Sequence, residues 1–270
     1  MHGKKHLDRG RGWLLLSTGT GRNREQMRRV AFFLLAMTGV LGAESFCFSS
    51  EVLGTRREIE VELPPDYSTD AAPYPLLIVF DGEAYTSTIP APQILRQLEA
   101  NSQIRPTVAV FVHNTEPTSR QWELPCCERF AQFVAEELLP WIESHYHVGE
   151  ERVLVGSSYG GLAAAYIALQ YPHLFGKVLS QSGSFGWSDS RVIDAYRAAP
   201  RQPIEFYMDV GDRESKCQRE ANARMRDLLR EKGYTVHFVV YKGGHDYACW
   251  RRTLRGGLLV LLGRGDKGAR

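Results

Sequence analysis

The sequence has few cysteines, almost no net charge and no long apolar run, and each shortage excludes a class of protein. Five cysteines are scattered over 270 residues without a CxxC pair, so neither a structural zinc site nor another metal is expected. The odd number also argues against a full disulfide framework, although one bridge remains open in an exported protein. Basic residues exceed acidic ones by only two, which favours neither nucleic acid nor a membrane surface as a partner.

An apolar stretch near the N-terminus is too short to span a membrane, which needs roughly 20 residues. From Met27 the chain reads MRRVAFFLLAMTGVLGA, the basic head, apolar core and small-residue exit of a secretory signal peptide. We therefore predict a signal peptide over residues 27–43, with translation starting at Met27 and export to the periplasm or the medium. The alternatives are a short helix packed on the domain or an uncleaved anchor. Without export, the protein is expected in the cytoplasm.

Short apolar runs alternate with helical patterns from residue 46 to residue 263, without repeats or a long linker. The run 57–64 reads as a half-buried strand, and six further runs read as strands: 75–80 and 107–112, which are continuously apolar, and 153–156, 177–183, 204–211 and 235–244. Helical spacing covers 127–146, 160–172, 219–234 and 249–263. This alternation predicts an α/β fold, with a mostly parallel central sheet, helices on both faces and no separate lid domain. We expect a domain over 46–263, an N-terminal extension over 1–45 and a basic tail over 264–270.

The segment GSSYG at residues 156–160 fits the pattern G-x-S-x-G. It follows a buried strand directly and precedes a helix, which is the context of a nucleophile elbow. In such an elbow the central serine sits on a strained turn, and the flanking residues are small because strand and helix pack closely. Ser158 is therefore the predicted nucleophile, and Ser157 its small neighbour. The alternative is a glycine-rich turn without chemistry.

A nucleophilic serine needs a histidine base, and three histidines follow Ser158 in the sequence. His173 lies at the end of the helix after the elbow, too near in sequence to fold back onto the serine. His237 lies within the strand 235–244, where a histidine is more often packed or on the surface. His245 follows that strand, at the sheet edge where ligands bind in folds of this kind. It is the predicted base.

The acid that orients the base should follow the strand 204–211. Asp209, Asp212 and Glu214 are the candidates. We favour Glu214 for its reach and offset, with Asp212 second, while the direction of Asp209 depends on the register of the strand. For the oxyanion hole, the N–H of Tyr159 follows from its place after the nucleophile. The second donor is expected near Gly82 and Glu83, after the strand 75–80.

Several motifs resemble those of the enterochelin (ferric siderophore) esterases of the α/β-hydrolase superfamily, and the chain is more similar to their single-domain members than to those that carry an N-terminal lid-like domain. The most specific are RQWELPC at 120–126 and GGHDYACWRRTLRGGL at 243–258, and GSSYGG and GDRE also match. The resemblance covers roughly residues 48–262. It implies an α/β-hydrolase fold and a serine esterase that opens the ester bonds of enterobactin-like catecholate siderophores. Iron would then belong to the substrate, and no cofactor is implied.

The resemblance also assigns substrate contacts. Arg120 is expected to hold an anionic catecholate, and Glu123 to orient Arg120 or to cap local backbone. Trp250 is expected either to line the pocket or to belong to the core. Cys126 and Cys249 lie in segments flanking the site and could face each other. Two rival functions remain: an esterase or acyltransferase of the same fold acting on feruloyl, acyl-thiol or other small esters, and a catalytically silent fold that only binds a ligand.

Overall fold

The computed structural model describes residues 43–264, which form one eight-stranded sheet with helices on both faces. The predicted signal peptide, except Ala43, and the tail beyond Arg264 lie outside the described residues. The strands are β1 (Glu44–Ser50), β2 (Thr55–Glu62), β3 (Tyr74–Phe80), β4 (Val108–Val112), β5 (Val148–Ser157), β6 (Lys177–Gln181), β7 (Glu205–Gly211) and β8 (Thr235–Tyr241).

The helices of the described chain alternate with these strands from β3 onward. They are α1 (Gly82–Ser87), α2 (Ala91–Ala100), α3 (Arg120–Glu123), α4 (Glu128–Gln132), α5 (Leu139–His145), α6 (Tyr159–Gln170), α7 (Arg191–Ala198), α8 (Lys216–Glu231) and α9 (Tyr247–Leu262). A π-helical turn (Phe133–Leu138) joins α4 to α5, and a 3₁₀ turn (Trp187–Ser190) precedes α7. No helix within residues 43–264 combines the length and apolarity that crossing a bilayer requires.

The strand order is β1-β2-β4-β3-β5-β6-β7-β8. Strands β3 to β8 pair in parallel, whereas β1 pairs antiparallel with β2, and β2 antiparallel with β4. The predicted α/β-hydrolase fold with a mostly parallel sheet is confirmed. Strand β1 begins at Glu44, so the predicted boundary at residue 46 falls inside a strand.

The central strands are apolar throughout because helices cover both of their faces. Along β3 every residue is buried. Leu76, Ile78 and Phe80 pack in one core, with the helices α4 to α8, while Leu77 and Val79 pack in the other, with α1, α2 and α9. This two-sided cover leaves the carboxyl edge of the sheet as the place where loops can hold polar chemistry.

Candidate active site

Ser158 occupies a strained turn between β5 and α6. Its backbone angles are φ 56° and ψ −116°, a left-handed region that costs energy for a residue with a side chain. The flanking glycines leave no room for substitution: a Cβ on Gly156 would lie 2.3 Å from the carbonyl carbon of Gly160, and one on Gly161 would lie 2.5 Å from Ser180 Oγ. The Ser158 N–H donates to the carbonyl of Gln181 at 2.9 Å. The turn is therefore fixed to the end of the neighbouring strand.

A continuous hydrogen-bond chain connects three side chains from three different loops. The Ser158 Oγ lies 3.0 Å from His245 Nε2, and His245 Nδ1 lies 2.8 Å from Glu214 Oε2. Ser158 follows β5, Glu214 follows β7 and His245 follows β8, so parallel strands deliver all three to the same edge. The structure thus brings together the predicted nucleophile, base and favoured acid.

Glu214 is held as an ionised carboxylate. Its side chain is fully buried, and burial alone raises the pKa of a carboxyl group. The hydrogen bond from His245 and those from the Ser182 hydroxyl and the Gly211 N–H, at 2.6 and 2.8 Å, outweigh burial and lower the pKa of Glu214. The Tyr241 hydroxyl donates a further bond at 2.9 Å. A negative charge fixed here favours the Nδ1–H tautomer of His245, which leaves Nε2 free to accept a proton.

The other two acid candidates point elsewhere. Asp212 is exposed, and its Oδ1 accepts the Gly243 N–H at 3.0 Å, so it closes the loop without reaching His245. Asp209 is fully buried within the sheet, and its Oδ1 accepts the Ser182 N–H at 3.2 Å. Burial raises the pKa of Asp209 to about 7, and the nearby charge of Glu214 adds to this effect. His237 also lies away from the site, paired with Glu205 at 3.1 Å on the surface.

Two helix N-termini converge beside Ser158. Tyr159 is the first residue of α6 and Gly82 the first residue of α1, so their N–H groups have no acceptor in a preceding turn. Asp81, just before α1, lies close to α6: its Oδ2 is 3.3 Å from the place of a Cβ on Gly160. Backbone donors and helix dipoles at this point favour a developing negative charge.

Arg120 neutralises Asp81 at this junction. Its Nε and Nη2 donate to the two carboxylate oxygens of Asp81 at 2.9 and 2.8 Å, and Asn114 Nδ2 donates to Oδ1 at 2.8 Å. The hydrogen bonds to Asp81 raise the pKa of Arg120 against the effect of burial. The guanidinium also lies over the ring of Tyr159, 5.6 Å from its centroid. Arg120 is therefore at the site, but one edge of its guanidinium is occupied by Asp81.

Glu123 does not orient Arg120, and that expectation is wrong. Its carboxylate pairs with Arg57 of β2, with Nη2–Oε1 at 2.8 Å and Nη1–Oε2 at 3.4 Å. The Arg57 side chain is 1% exposed and lies over the rings of Phe130 and Phe133. A buried guanidinium requires a counter-charge, and α3 brings Glu123 to it. Glu123 is thus directed to β2 rather than toward a substrate.

Trp250 belongs to the core, which was one of its two expected places. It is 4% exposed, and its ring meets that of His245 edge to face at a centroid distance of 4.9 Å. Its Nε1 donates to Ser182 Oγ at 3.0 Å. Ser182 in turn donates to Glu214. Trp250 therefore holds His245 through its ring and Glu214 through Ser182, and it does not form a wall of the pocket.

Sequence reasoning missed four polar residues that hold the site: Asp81, Asn114, Ser182 and Tyr241. The signal for Asp81 was its position directly after the predicted strand 75–80, whereas Ser182 fell inside the predicted strand 177–183, which in the structure ends at Gln181. All five cysteines lie in the described chain and are free. Burial raises the pKa of Cys126 to about 11, and Cys249 Sγ contacts Arg252 Nη2 at 3.2 Å. The described residues contain no group of three His, Cys, Asp or Glu side chains arranged to hold a metal ion.

Residues 50–261 match the model of the Esterase family, described as "Putative esterase". The chain belongs to this family. It is 34% identical over 235 residues to the iron(III) enterobactin esterase of Dickeya dadantii, a match covering 80% of this chain and 54% of that protein. The Escherichia coli K12 protein of the same name is 30% identical over 230 residues, covering 81% and 57%.

The structural comparison agrees. A solved structure of the enterobactin esterase of Shigella flexneri, in the presence of enterobactin, matches with a TM-score of 0.77 at 30% identity, covering 83% of this chain and 59% of that chain. The predicted resemblance to the enterochelin esterases is confirmed. The chain spans slightly more than half the length of these relatives.

Proposed function

We propose that the protein is a serine esterase that hydrolyses the ester bonds of a catecholate siderophore through an acyl-enzyme. The observation that carries this proposal is the chain of hydrogen bonds from Ser158 through His245 to Glu214, set on a strained elbow between strand and helix. Nucleophile, base and orienting acid in this geometry are the requirements for acyl transfer. The substrate class rests on the likeness to iron(III) enterobactin esterases.

In the proposed first step, Ser158 Oγ attacks the ester carbonyl carbon while its proton passes to His245 Nε2. Glu214 stabilises the imidazolium that forms. The N–H of Tyr159 and a donor from the Gly82–Glu83 segment hold the oxyanion. The imidazolium then gives its proton to the departing alcohol oxygen as the carbon–oxygen bond breaks, which leaves the acyl group on Ser158.

In the second step water replaces the alcohol. His245 Nε2 takes a proton from water as the water oxygen attacks the acyl carbon, and the same oxyanion donors act again. The proton then returns to Ser158 Oγ as the acid product leaves. None of these steps requires a group beyond the side chains and backbone already named.

Charge at the rim of the site fits an anionic aromatic substrate. Arg120 lies over the ring of Tyr159, and its side chain is 26% exposed. Tyr247, at the start of α9, is 36% exposed and stacks edge to face on Trp250 at 5.1 Å. We assign Arg120 to the negative charge of a catecholate and Tyr247 to its aromatic ring. A guanidinium binds anions and stacks on aromatic faces, and an aromatic side chain packs against a ring.

We also propose export, with a signal peptide over residues 27–43 removed before the enzyme acts. Two features support it: the order of basic, apolar and small residues from Met27, and a first described strand that starts at Glu44, directly after the predicted segment. N-terminal sequencing of the mature protein tests this proposal. A mature chain that still carries residues 27–43 would contradict it.

Product analysis with ferric and iron-free enterobactin, set beside p-nitrophenyl acetate, tests the siderophore activity. We expect catecholate-serine products and a kcat/KM for enterobactin well above that for the simple ester. A preference for the simple ester would instead identify a general carboxylesterase of the same fold. Ser158→Ala should abolish both activities. If Ser158→Ala hydrolyses at the wild-type rate, the serine mechanism is wrong.

A further inference from the structure

A second serine touches the nucleophile. Ser184 Oγ lies 3.1 Å from Ser158 Oγ, and the Ser184 N–H donates to the Ser158 carbonyl at 3.0 Å. Ser184 is half-buried, and its hydroxyl lies within hydrogen-bond distance of the oxygen that would attack the ester. The proposed roles of nucleophile, base, acid and oxyanion donor do not account for this contact.

The loop that carries Ser184 is fixed on both sides. Its first residue, Ser182, has φ 50° and binds Glu214, the acid of the site. From α8, Gln218 Nε2 donates to the carbonyls of Ser182 and Gly183 at 2.6 and 2.9 Å. The fully buried Asn222 donates to Gly183 at 2.8 Å. Because these hydrogen bonds from α8 fix the backbone of the loop, the position of Ser184 relative to Ser158 is determined by the fold.

The direction of the hydrogen bond between the two serines follows from counting protons. Glu214 is ionised, so its partner, His245 Nδ1, must carry a proton. In the neutral imidazole Nε2 then has none and accepts the single hydroxyl proton of Ser158. Ser158 Oγ has no proton left for Ser184. The Ser184 hydroxyl must therefore be the donor and Ser158 Oγ the acceptor.

We infer that Ser184 is a further catalytic residue, which donates a hydrogen bond to the nucleophilic oxygen and stabilises the negative charge that this oxygen gains as it loses its proton to His245. The inference rests on the proposed esterase function. Ser184 keeps its own proton throughout. The donated bond strengthens as Ser158 Oγ becomes more basic and weakens once that oxygen is acylated, so it acts on acylation more than on substrate binding.

Substitutions at Ser184 and the rate of acylation test the inference. Threonine and valine have the same shape, and only threonine keeps the hydroxyl. We expect Ser184→Thr to retain most of the wild-type rate of fluorophosphonate labelling at Ser158, and Ser184→Val and Ser184→Ala to lose on the order of tenfold, the size of one hydrogen bond to a developing charge. The same factor should appear in the rate constant of the pre-steady-state burst with p-nitrophenyl acetate, while the substrate dissociation constant, taken from the concentration dependence of the burst, should change little.

Ser188→Ala, an exposed position in the same loop, is the control for damage to the loop and should label at the wild-type rate. Thermal melting of every variant separates a loss of fold from a loss of chemistry. Equal labelling rates for the threonine and valine variants, or an alanine variant within twofold of wild type, would overturn the role of Ser184. That outcome leaves the proposed function intact, because the proposed function is tested separately, by Ser158→Ala and by the comparison of enterobactin with p-nitrophenyl acetate.

Discussion

Arg120 and Asp81 form a bidentate ion pair across 39 residues of sequence, and one partner is almost completely buried. Asp81 is 1% exposed and Arg120 is 26% exposed. The pair lies beside the first turn of α6, where the oxyanion is expected. A buried carboxylate at this point would repel an oxyanion, so the guanidinium must cancel its charge before the site can hold a second negative group.

Removing the guanidinium should therefore destabilise the protein. We expect Arg120→Gln to lower the free energy of unfolding by about 3 kcal/mol, because Asp81 stays buried without its partner. The double variant Asp81→Asn with Arg120→Gln should recover most of this loss. Urea denaturation of the wild type, both single variants and the double variant measures the coupling.

Kinetics of the same double variant distinguish the role of Arg120 as the partner of Asp81 from a role in binding the substrate. If Arg120 also contacts the catecholate, the double variant folds normally and still shows a raised KM for enterobactin, while KM for p-nitrophenyl acetate is unchanged. A double variant with wild-type KM for both substrates would confine Arg120 to neutralising Asp81.

Replacing Glu214, the proposed acid of the site, should impair catalysis but not folding. We expect Glu214→Gln to reduce kcat by roughly 10³- to 10⁴-fold, because an amide can donate to His245 and impose the wrong tautomer. Asp212→Asn is the matched control, since an asparagine keeps the oxygen that accepts the Gly243 N–H. Steady-state kinetics at neutral pH measure both. Equal losses in the two variants would point to disruption of the loop instead.

Asp209 should make stability depend on pH. Burial raises its pKa from 3.8 to about 7, so the folded state keeps a proton that the unfolded chain releases near pH 4. The stabilisation from this group is complete below about pH 4 and is lost as the pH rises through 7, an effect of a few kcal/mol. Asp209→Asn cannot ionise, so its melting temperature relative to wild type should be higher at pH 8 than at pH 5. A difference that is the same at both pH values would contradict the assignment, and Asp70→Asn on an exposed loop controls for loss of a carboxylate.

Glu123 should matter for stability and not for binding. Its partner Arg57 is almost completely buried, and Glu123→Ala leaves that charge uncompensated, at a cost of about 3 kcal/mol. KM for enterobactin should stay within twofold of wild type. Chemical denaturation and steady-state kinetics on one preparation test this prediction. A raised KM without loss of stability would show that Glu123 contacts the substrate.

The sequence was most informative where function depends on neighbours along the chain. Ser158 could be located because strand, G-x-S-x-G and helix are contiguous, and His245 because it follows the last strand. The order of strands and helices likewise predicted the α/β-hydrolase fold.

Contacts between segments that are distant in the sequence could not be predicted in this way. Glu123 meets Arg57 only because the fold brings α3 within reach of β2, a contact spanning 66 residues. The choice between pocket and core for Trp250 depended on the rotation of α9 about its axis. The hydroxyl of Ser182 serves Glu214 from a different loop, 32 residues away, and no local pattern encodes such a contact.

Strand β1 begins at Glu44, immediately after the proposed cleavage point at Ala43. Its first residue is already paired with Val61, and the Glu44 carboxylate accepts a hydrogen bond from the Tyr146 hydroxyl at 2.8 Å. A peptidase binds its substrate as an extended, unpaired segment, and a strand that is already hydrogen-bonded in a sheet cannot enter its active site. If the proposed leader is removed at this point, its removal must precede closure of the β1–β2 hairpin, and the edge strand can pair only afterwards.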